Sequence, residues 1–500
     1  MVNPKSWQRK WSFNFNRDKG RVLMRVLMAA SEAVPFAKTG GLADVIGSLP
    51  KALRGEGCDV RVIMPKYGTI AEEYKQQMQF VTSITVDVSW RKQYCGIEQM
   101  DYGGIRFYFI DNQYYFYRER IYGFFDEAER YAFFCFAVLA AIPHLDFQPD
   151  IIHCHDWQTA LISVFLHTKY KHQLDYQRMK TILTIHNLQF QGMFDARISG
   201  DILGLDEGPG DADRVYFNGD VNYLKGGIVS ANVVTTVSKT YAEEITHAYY
   251  GERLDGILRA LGTIRGIANG IDYEEYDPMT DKAIPFNYEN SPEMKKKNKR
   301  ALQERLYLPV DEDIPLLAIV SRLTPQKGLD LIACVLDEIL QERLQLVILG
   351  SGEARYEKML TEAAYRHKEK MAVKIRFDER LARLIYAGSD MFLMPSHFEP
   401  CGLSQLIALR YGSIPIVRAT GGLKDTVQPY NEHSQEGNGF AFTNYNAHEM
   451  LRVIRHALNF YQDPVVWKQI IGNAIKSDNS WHKTAGDYLK IYGEIAEQEV

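Results

Sequence analysis

A handful of short segments in this 500-residue chain carry residue types whose spacing can do chemistry. The first is Lys38-Thr39-Gly40-Gly41-Leu42-Ala43-Asp44-Val45, between an apolar run and a helical pattern over 42–53. Paired glycines let a backbone approach a ligand closely, a helix start offers free N–H groups to an anion, and Lys38 adds positive charge. The other reading is a plain strand-to-helix turn with a solvated lysine. The segment is neither GxGxxG nor a P-loop, so dinucleotide binding and P-loop ATP hydrolysis gain no support. The second is Ser321-Arg322-Leu323-Thr324-Pro325-Gln326-Lys327-Gly328. Two fixed cations beside a helix start suit a diphosphate, because Arg322 can fork onto two oxygens while Lys327 acts as a point charge. At about 4 Å and an effective dielectric near 20, each such pair is worth roughly 4 kcal/mol before desolvation. Two surface cations on a loop are the bland alternative, disfavoured because both fall at the end of a strand.

Weaker signals accompany these two. Gly350-Ser351-Gly352-Glu353 reads as a tight turn that many α/β proteins carry without a ligand. Glu399-Pro400-Cys401-Gly402-Leu403-Ser404 places a helix start near Gly402 and Leu403, with Glu399 able to accept hydrogen bonds from sugar hydroxyls. The same carboxylate can instead be a helix-terminal charge worth about 0.3–1 kcal/mol. Thr420-Gly421-Gly422-Leu423 is a further glycine-paired turn. His153, His155 and Asp156 end one strand and His186-Asn187 ends another. His153 and His155 face the same side of a strand, but no third ligand has metal-site spacing, so a metal is not expected. Asp156 can cap the helix after it. Asp211-Ala212-Asp213 matches a D-x-D pattern in a Gly/Pro loop, a match short enough to arise by chance.

These residues need strands to hold them. Short β-branched or apolar runs alternate with longer helical patterns, which reads as α/β with parallel sheets. Expected strands are 25–30, 59–65, 151–155, 181–185 and 233–237 in the first half. In the second they are 315–321, 344–349, 372–377, 391–395 and 414–418. Segments 82–90 and 97–111 read as antiparallel, with Gly103-Gly104 as a tight turn. Helices are expected over 131–145, where Pro143 interrupts, over 295–306 and over 487–499. The pattern predicts two doubly wound domains that face each other, with ligands between the carboxyl ends of their strands. The boundaries are a basic extension at 1–23, expected to be disordered; a first domain at 24–264; a second at 265–480; and a helical tail at 481–500, able to pack on either domain.

Composition excludes several classes. Net charge is −5 and charged residues are 24%, which argues against a protein devoted to nucleic acid. No run reaches the roughly 18 apolar residues of a membrane span, and the first 23 residues lack the apolar segment of a signal peptide. The six cysteines show no CxxC pair and read as reduced, mostly buried thiols. A cytoplasmic location is therefore expected.

Lys38-Thr39-Gly40-Gly41-Leu42-Ala43-Asp44-Val45, His155-Asp156-Trp157, Thr184-Ile185-His186-Asn187, Ala268-Asn269-Gly270-Ile271-Asp272, Ser321-Arg322-Leu323 with Gln326-Lys327-Gly328, and Glu399-Pro400-Cys401-Gly402-Leu403 occur in a telling order. It is the order found in bacterial glycogen synthases and plant starch synthases, glycosyltransferase family 5, which the chain resembles over about residues 24–490. The resemblance implies a GT-B fold of two Rossmann-like domains across a deep cleft. It implies a retaining transfer of glucose from ADP-glucose to the non-reducing end of an α-1,4-glucan, with no cofactor and no metal. It implies that Arg322 and Lys327 neutralise the leaving diphosphate, that Glu399 contacts the sugar, and that Asp156, His186 and Asn269 complete the sugar site. Lys38, Gly40 and Gly41 would face the nucleotide sugar from the first domain. Asn187, Gly352, Cys401, Gly402, Leu403 and Ser404 would line the nucleotide and substrate site, and Phe377 falls where an aromatic often neighbours the adenine. Retention can use a carboxylate nucleophile or front-side attack with the leaving phosphate taking the acceptor proton; the family is usually described by the second route. Related enzymes with a Glu-x-x-Gly motif carry a second Glu where this chain has Ile407, a departure common among these synthases. The competing readings are a UDP-glucose-dependent transferase of the same fold and a non-catalytic glucan-binding or priming protein. Neither nucleic acid nor membrane is an expected partner, and no motif encodes an oligomeric state.

Overall fold

Strand Arg25–Ala29 is buried from Val26 onward on both faces, as a near-continuous apolar run requires of a central parallel strand. A computed structural model of the chain describes residues 24–205, 210–289 and 291–497. The basic extension at 1–23 lies outside them, as does the end of the expected 487–499 helix.

Arg25–Ala29 sits inside a nine-stranded sheet. The order runs Arg265–Gly266, Val233–Thr236, Lys180–Ile185, Ile151–His155, Arg25–Ala29, Asp59–Pro65, Ile105–Asp111, Arg91–Tyr102, Gln79–Val88. All neighbours are parallel except the last two pairs, which form the expected antiparallel elaboration. From Arg25–Ala29 the chain moves to Asp59–Pro65 on one side, and from Ile151–His155 to Lys180–Ile185 on the other. The direction of winding therefore reverses between Arg25–Ala29 and Ile151–His155, which opens a crevice at their carboxyl ends.

The second sheet repeats this device with six strands, all parallel. The order is Met371–Ile375, Gln345–Gly350, Leu316–Val320, Met391–Met394, Ile414–Arg418, Phe440–Phe442. Winding reverses between Leu316–Val320 and Met391–Met394. Leu317, Ile319, Leu346, Ile348 and Leu393 face one apolar core, while Leu316, Ala318, Val347, Leu349 and Phe392 face another. This is the period-two alternation of a sheet covered on both sides.

Several elements differ from the sequence reading. Phe440–Phe442 and Arg265–Gly266 are strands too short to announce themselves, formed by pairing with a neighbour. The Gly/Pro-rich region around Asp211 is flanked by a small antiparallel sheet of Met193–Asp195, Asp220–Asn222 and Tyr216–Phe217. The α-helix Glu127–Ala141 ends before Pro143, and a 3₁₀ turn at Ile142–His144 absorbs the proline. The last helix, Trp481–Ala496, begins where the expected helical tail at 481–500 does, six residues before the periodic stretch at 487–499. Its Trp481, Ala485, Tyr488, Ile491, Tyr492 and Ile495 join the core of the first sheet. Among the described residues no helix is long and apolar enough to cross a membrane. All six cysteines are free thiols, and Cys334 alone is exposed.

Candidate active site

The loops leaving the carboxyl ends of Arg25–Ala29 and Ile151–His155 line the first crevice. Glu32, three residues past the first strand, is buried. Its carboxylate accepts from the Thr39 backbone N–H, from Thr39 Oγ1 at 2.7 Å, from Gly40 N–H at 3.2 Å and from Tyr122 OH at 2.7 Å. The Thr39 and Gly40 amides are thus satisfied by the protein's own carboxylate. Lys38 is not a lone solvated lysine, since Nζ lies 2.6 Å from Asp44 Oδ1. Burial raises Asp44, with Lys38 opposing the shift. Gly40 has open space where a Cβ would be, and at Gly41 the nearest atom is Leu403 Cδ1 at 3.5 Å, from the second sheet's side of the crevice. Gly41 marks a close approach between domains.

Asp156 is backbone-strained, at φ 59° and ψ −174°, a region that L-residues rarely occupy. Its carboxylate does not cap the helix Trp157–Phe165. Oδ1 instead accepts from the His186 N–H at 2.6 Å and so ties the ends of two adjacent strands together. Burial pushes the Asp156 carboxyl up to about 7 against the backbone hydrogen bonds of His186 and Asn187, and Glu32 adds to the rise. Burial also pushes His186 and His153 down to about 3 and His155 well below its ordinary value. All three imidazoles are neutral near pH 7. His153 bonds to Tyr492 OH at 2.8 Å and Thr184 Oγ1 at 2.6 Å, and His155 Nδ1 meets His186 Nε2 at 2.9 Å. Among the described residues no group of three or more His, Cys, Asp or Glu could hold a metal ion. Asn187 turns its Oδ1 to Gln189 N at 3.0 Å, a local turn.

In the second crevice, Lys327 Nζ lies 2.6 Å from Glu399 Oε2, with side chains 16% and 8% exposed. Ser396 Oγ donates to the same oxygen at 3.0 Å. The cation read for diphosphate and the carboxylate read for sugar are therefore one ion pair. Arg322 is exposed and its Nη2 reaches Gln326 Oε1 at 3.3 Å. Gly328 has φ 74°, and a Cβ there would lie 2.1 Å from Pro395 O. Only glycine lets the Lys327 loop lie against the strand that leads to Glu399. Gly352 serves the same scaffold, bridging to Leu323 and donating its N–H to Glu357 at 2.8 Å. This satisfied amide and the Leu323 contact make Gly352 a brace for the Arg322 loop. The helix near Glu399 begins at Ser404. Before it, Gln405 Nε2 donates to Cys401 O at 2.9 Å and Gly402 O at 3.0 Å. Cys401 is buried and its thiol is pushed up to about 12, although the Asn269 backbone hydrogen-bonds to it. Asn269 is buried with Oδ1 unpartnered. Phe377 is two residues beyond the strand Met371–Ile375 and 81% exposed.

Side chains absent from the motifs join the two halves. Ser238 Oγ donates to Pro400 O at 2.6 Å, and Thr240 donates to Asp425 from N and Oγ1 at 3.0 and 2.6 Å. Glu244 accepts from Thr420 Oγ1 and Gly421 N, at 3.0 and 3.1 Å. Tyr249 OH meets His397 Nε2 at 2.6 Å. Beside these contacts lies a cavity of about 380 Å³ lined by Thr240, Glu244, His247, Tyr250 and Lys424 among others. Glu32 had one usable signal, as the sole carboxylate between the first strand and Asp44. Glu244 and Asp425 had none, because their partners are more than 170 residues away.

Two family models match the chain, the starch synthase catalytic domain over residues 25–260 and glycosyl transferases group 1 over residues 303–471. The glycogen synthase of Geobacillus thermodenitrificans (strain NG80-2) is 53% identical over 478 residues, covering 95% of this chain and 99% of that protein. The glycogen synthase of Clostridium acetobutylicum is 52% identical over 476 residues, covering 94% and 100%. Among solved structures, the catalytic domain of starch synthase IV from Arabidopsis thaliana, bound to ADP and acarbose, superposes with TM-score 0.88 at 32% identity, covering 95% of this chain and 100% of that one. A sucrose-phosphate synthase from Thermosynechococcus elongatus shares the fold, with TM-score 0.59 at 16% identity over 94% and 99% of the two chains.

Proposed function

Because this chain belongs to the glycogen and starch synthase family and is a glycosyltransferase of GT-B architecture, we propose how its cleft performs the transfer. The donor is ADP-glucose and the acceptor is the non-reducing end of an α-1,4-glucan. The starch synthase neighbour, which carries ADP and acarbose, supports the donor and an acceptor of sugar units. A division into two domains, with the tail at 481–500, belongs to the same proposal, supported by one reversal of sheet winding in each half; its boundary falls after Arg265–Gly266, the edge strand of the first sheet, rather than at 264. So does a cytoplasmic location, supported by six free thiols.

The observation that carries the mechanism is the Lys327–Glu399 pair at the second reversal point. An ammonium has three donors, so Lys327 can keep one on Glu399 and turn others to a diphosphate, with Arg322 forking onto the same group. Charge that develops on departing ADP then meets cations already in place. Glu399, Asp156, His186 and Asn269 hold the glucosyl group across the cleft. Nucleotide-side contacts fall to Gly402, Leu403 and Ser404, with Lys38 and Gly41 closing from the first domain. Transfer breaks the bond from C1 to the phosphate oxygen and forms one from C1 to the acceptor oxygen, and the acceptor proton passes to the departing phosphate. Front-side attack is favoured over a carboxylate nucleophile because Glu32, Asp156 and Glu399 are each held through at least one oxygen by hydrogen bonds or an ion pair. The test is release of the nucleoside diphosphate, ADP from ADP-glucose or UDP from UDP-glucose, with glycogen as acceptor. Clear preference for ADP-glucose is expected, and preference for UDP-glucose refutes the donor assignment.

A further inference from the structure

His155 is fully buried and touches no part of the open cleft, yet its ring meets that of His186 edge to edge. Nδ1 of His155 and Nε2 of His186 are 2.9 Å apart, so one nitrogen donates and the other accepts. The geometry alone permits either direction. The rest of the ring decides between them, because Nε2 of His155 is buried and has no hydrogen-bond partner.

If His186 donated, the proton of neutral His155 would sit on Nε2, as a buried N–H with nothing to accept it. If His155 donates from Nδ1, Nε2 is a bare lone pair. Buried N–H groups without an acceptor are the rarer and costlier orphans. A third arrangement, with one ring charged, places a cation among buried groups, where desolvation opposes it. The surrounding contacts hold His155 in place. His153 stacks on it with ring centres 4.2 Å apart and is itself fixed by Tyr492 and Thr184. The His155 backbone N–H is taken by Thr159 Oγ1 at 2.7 Å.

We propose that His155 is a positioning residue that donates Nδ1–H to His186 Nε2 and so holds His186 as the neutral Nδ1–H tautomer. His186 then presents a single hydrogen-bond donor to a hydroxyl of the glucosyl group. His186 is only partly buried, and its Nδ1 is the ring nitrogen left for a ligand. A donor there polarises or orients a sugar hydroxyl and has no lone pair with which to act as a base at that atom. The tautomer follows from the ring contacts alone, while its effect on turnover rests on the reading of His186 as a sugar-site group.

The experiment uses the full chain with ¹⁵N-labelled histidine and long-range ¹H–¹⁵N correlation at neutral pH, which separates the two neutral tautomers and the cation. His186→Gln identifies the His186 signals among those of 13 histidines. Protonated Nδ1 with bare Nε2 is expected, and protonated Nε2, or protons on both, overturns the proposal. His155→Leu should lose the tautomer bias and lower kcat at least tenfold while changing the donor KM less than threefold. His155→Asn, whose amide can donate from the same place, should restore kcat to within threefold of the parent. A His155→Leu enzyme with parental tautomer and parental kcat overturns the positioning role. If His155→Leu does not fold, the spectrum of the unsubstituted protein decides the tautomer and His155→Asn against His155→Asp, which must accept, decides the role. Parental turnover in His186→Gln would remove the sugar-site reading and leave the tautomer standing. A wrong tautomer with a slow His186→Gln would remove the tautomer alone.

Discussion

Removing Lys327 should damage stability and turnover by separable routes. In Lys327→Ala the Glu399 carboxylate, 8% exposed, keeps Ser396 Oγ but loses its counter-ion. At 2.6 Å and an effective dielectric near 20, the lost attraction is roughly 6 kcal/mol before solvation is counted. Deleting one partner of a buried pair costs about 3–5 kcal/mol, because the other charge stays buried. The low end, about 3 kcal/mol, suits a pair at the edge of a cleft. With a urea slope of about 3 kcal/mol per molar or more for a chain this large, the midpoint should fall by up to about 1 M. Adding Glu399→Gln removes the orphaned charge and should recover at least half of that loss. Turnover should not recover. ADP release by Lys327→Ala should drop at least tenfold, about 1.4 kcal/mol or more in the barrier, and stay there in the double variant. A Lys327→Ala midpoint within about 0.2 M of the parent would refute the ion-pair argument. Parental turnover in the double variant would refute the diphosphate role.

Three further outcomes are expected. Gly328→Ala forces a side chain onto Pro395 O at a backbone angle of φ 74°, so stability should fall by about 1–3 kcal/mol or more and turnover should fall with the displaced Lys327 loop, as urea melts and ADP release will measure. Glu32→Gln weakens charge-assisted bonds to Thr39 and Gly40, which should cost about 1.5–3 kcal/mol in a urea melt and raise the substrate KM. The pH dependence has two opposed parts. His153 and His186, held near 3 when folded and near 6.5 when unfolded, make stability fall as pH drops from 6.5 toward 3, since unfolding takes up protons there. Asp156, raised to about 7 from 3.8, contributes stability at low pH that is lost as pH climbs from 3.8 through 7. Urea midpoints across pH 4–8 should show His153→Gln flattening the acid-side loss and Asp156→Asn removing the loss toward neutrality.

The alternation of strands and helices was legible because it depends on local periodicity, and strands such as Asp59–Pro65, Ile151–His155 and Ile414–Arg418 fall where apolar runs put them. The switch-point residues were legible as well, since motifs sit next to the strand ends that carry them. Phe440–Phe442 was not, because three residues hold no period and the strand exists through its neighbour. Asp156 looked like a helix cap for the same reason, its true partner being a backbone amide 30 residues on.

By itself, the sequence determined the family, the two doubly wound halves and which residues stand at the carboxyl ends of their strands. Tertiary structure alone decided who partners whom. Lys327 meets Glu399 across 72 residues, Glu32 takes the amides of Thr39 and Gly40, and Trp481–Ala496 returns to the first core, where Tyr492 holds His153. Periodicity is a property of neighbours along the chain. Charge pairing, burial and the direction of a histidine's proton depend on the order of strands across a sheet, which no local pattern contains.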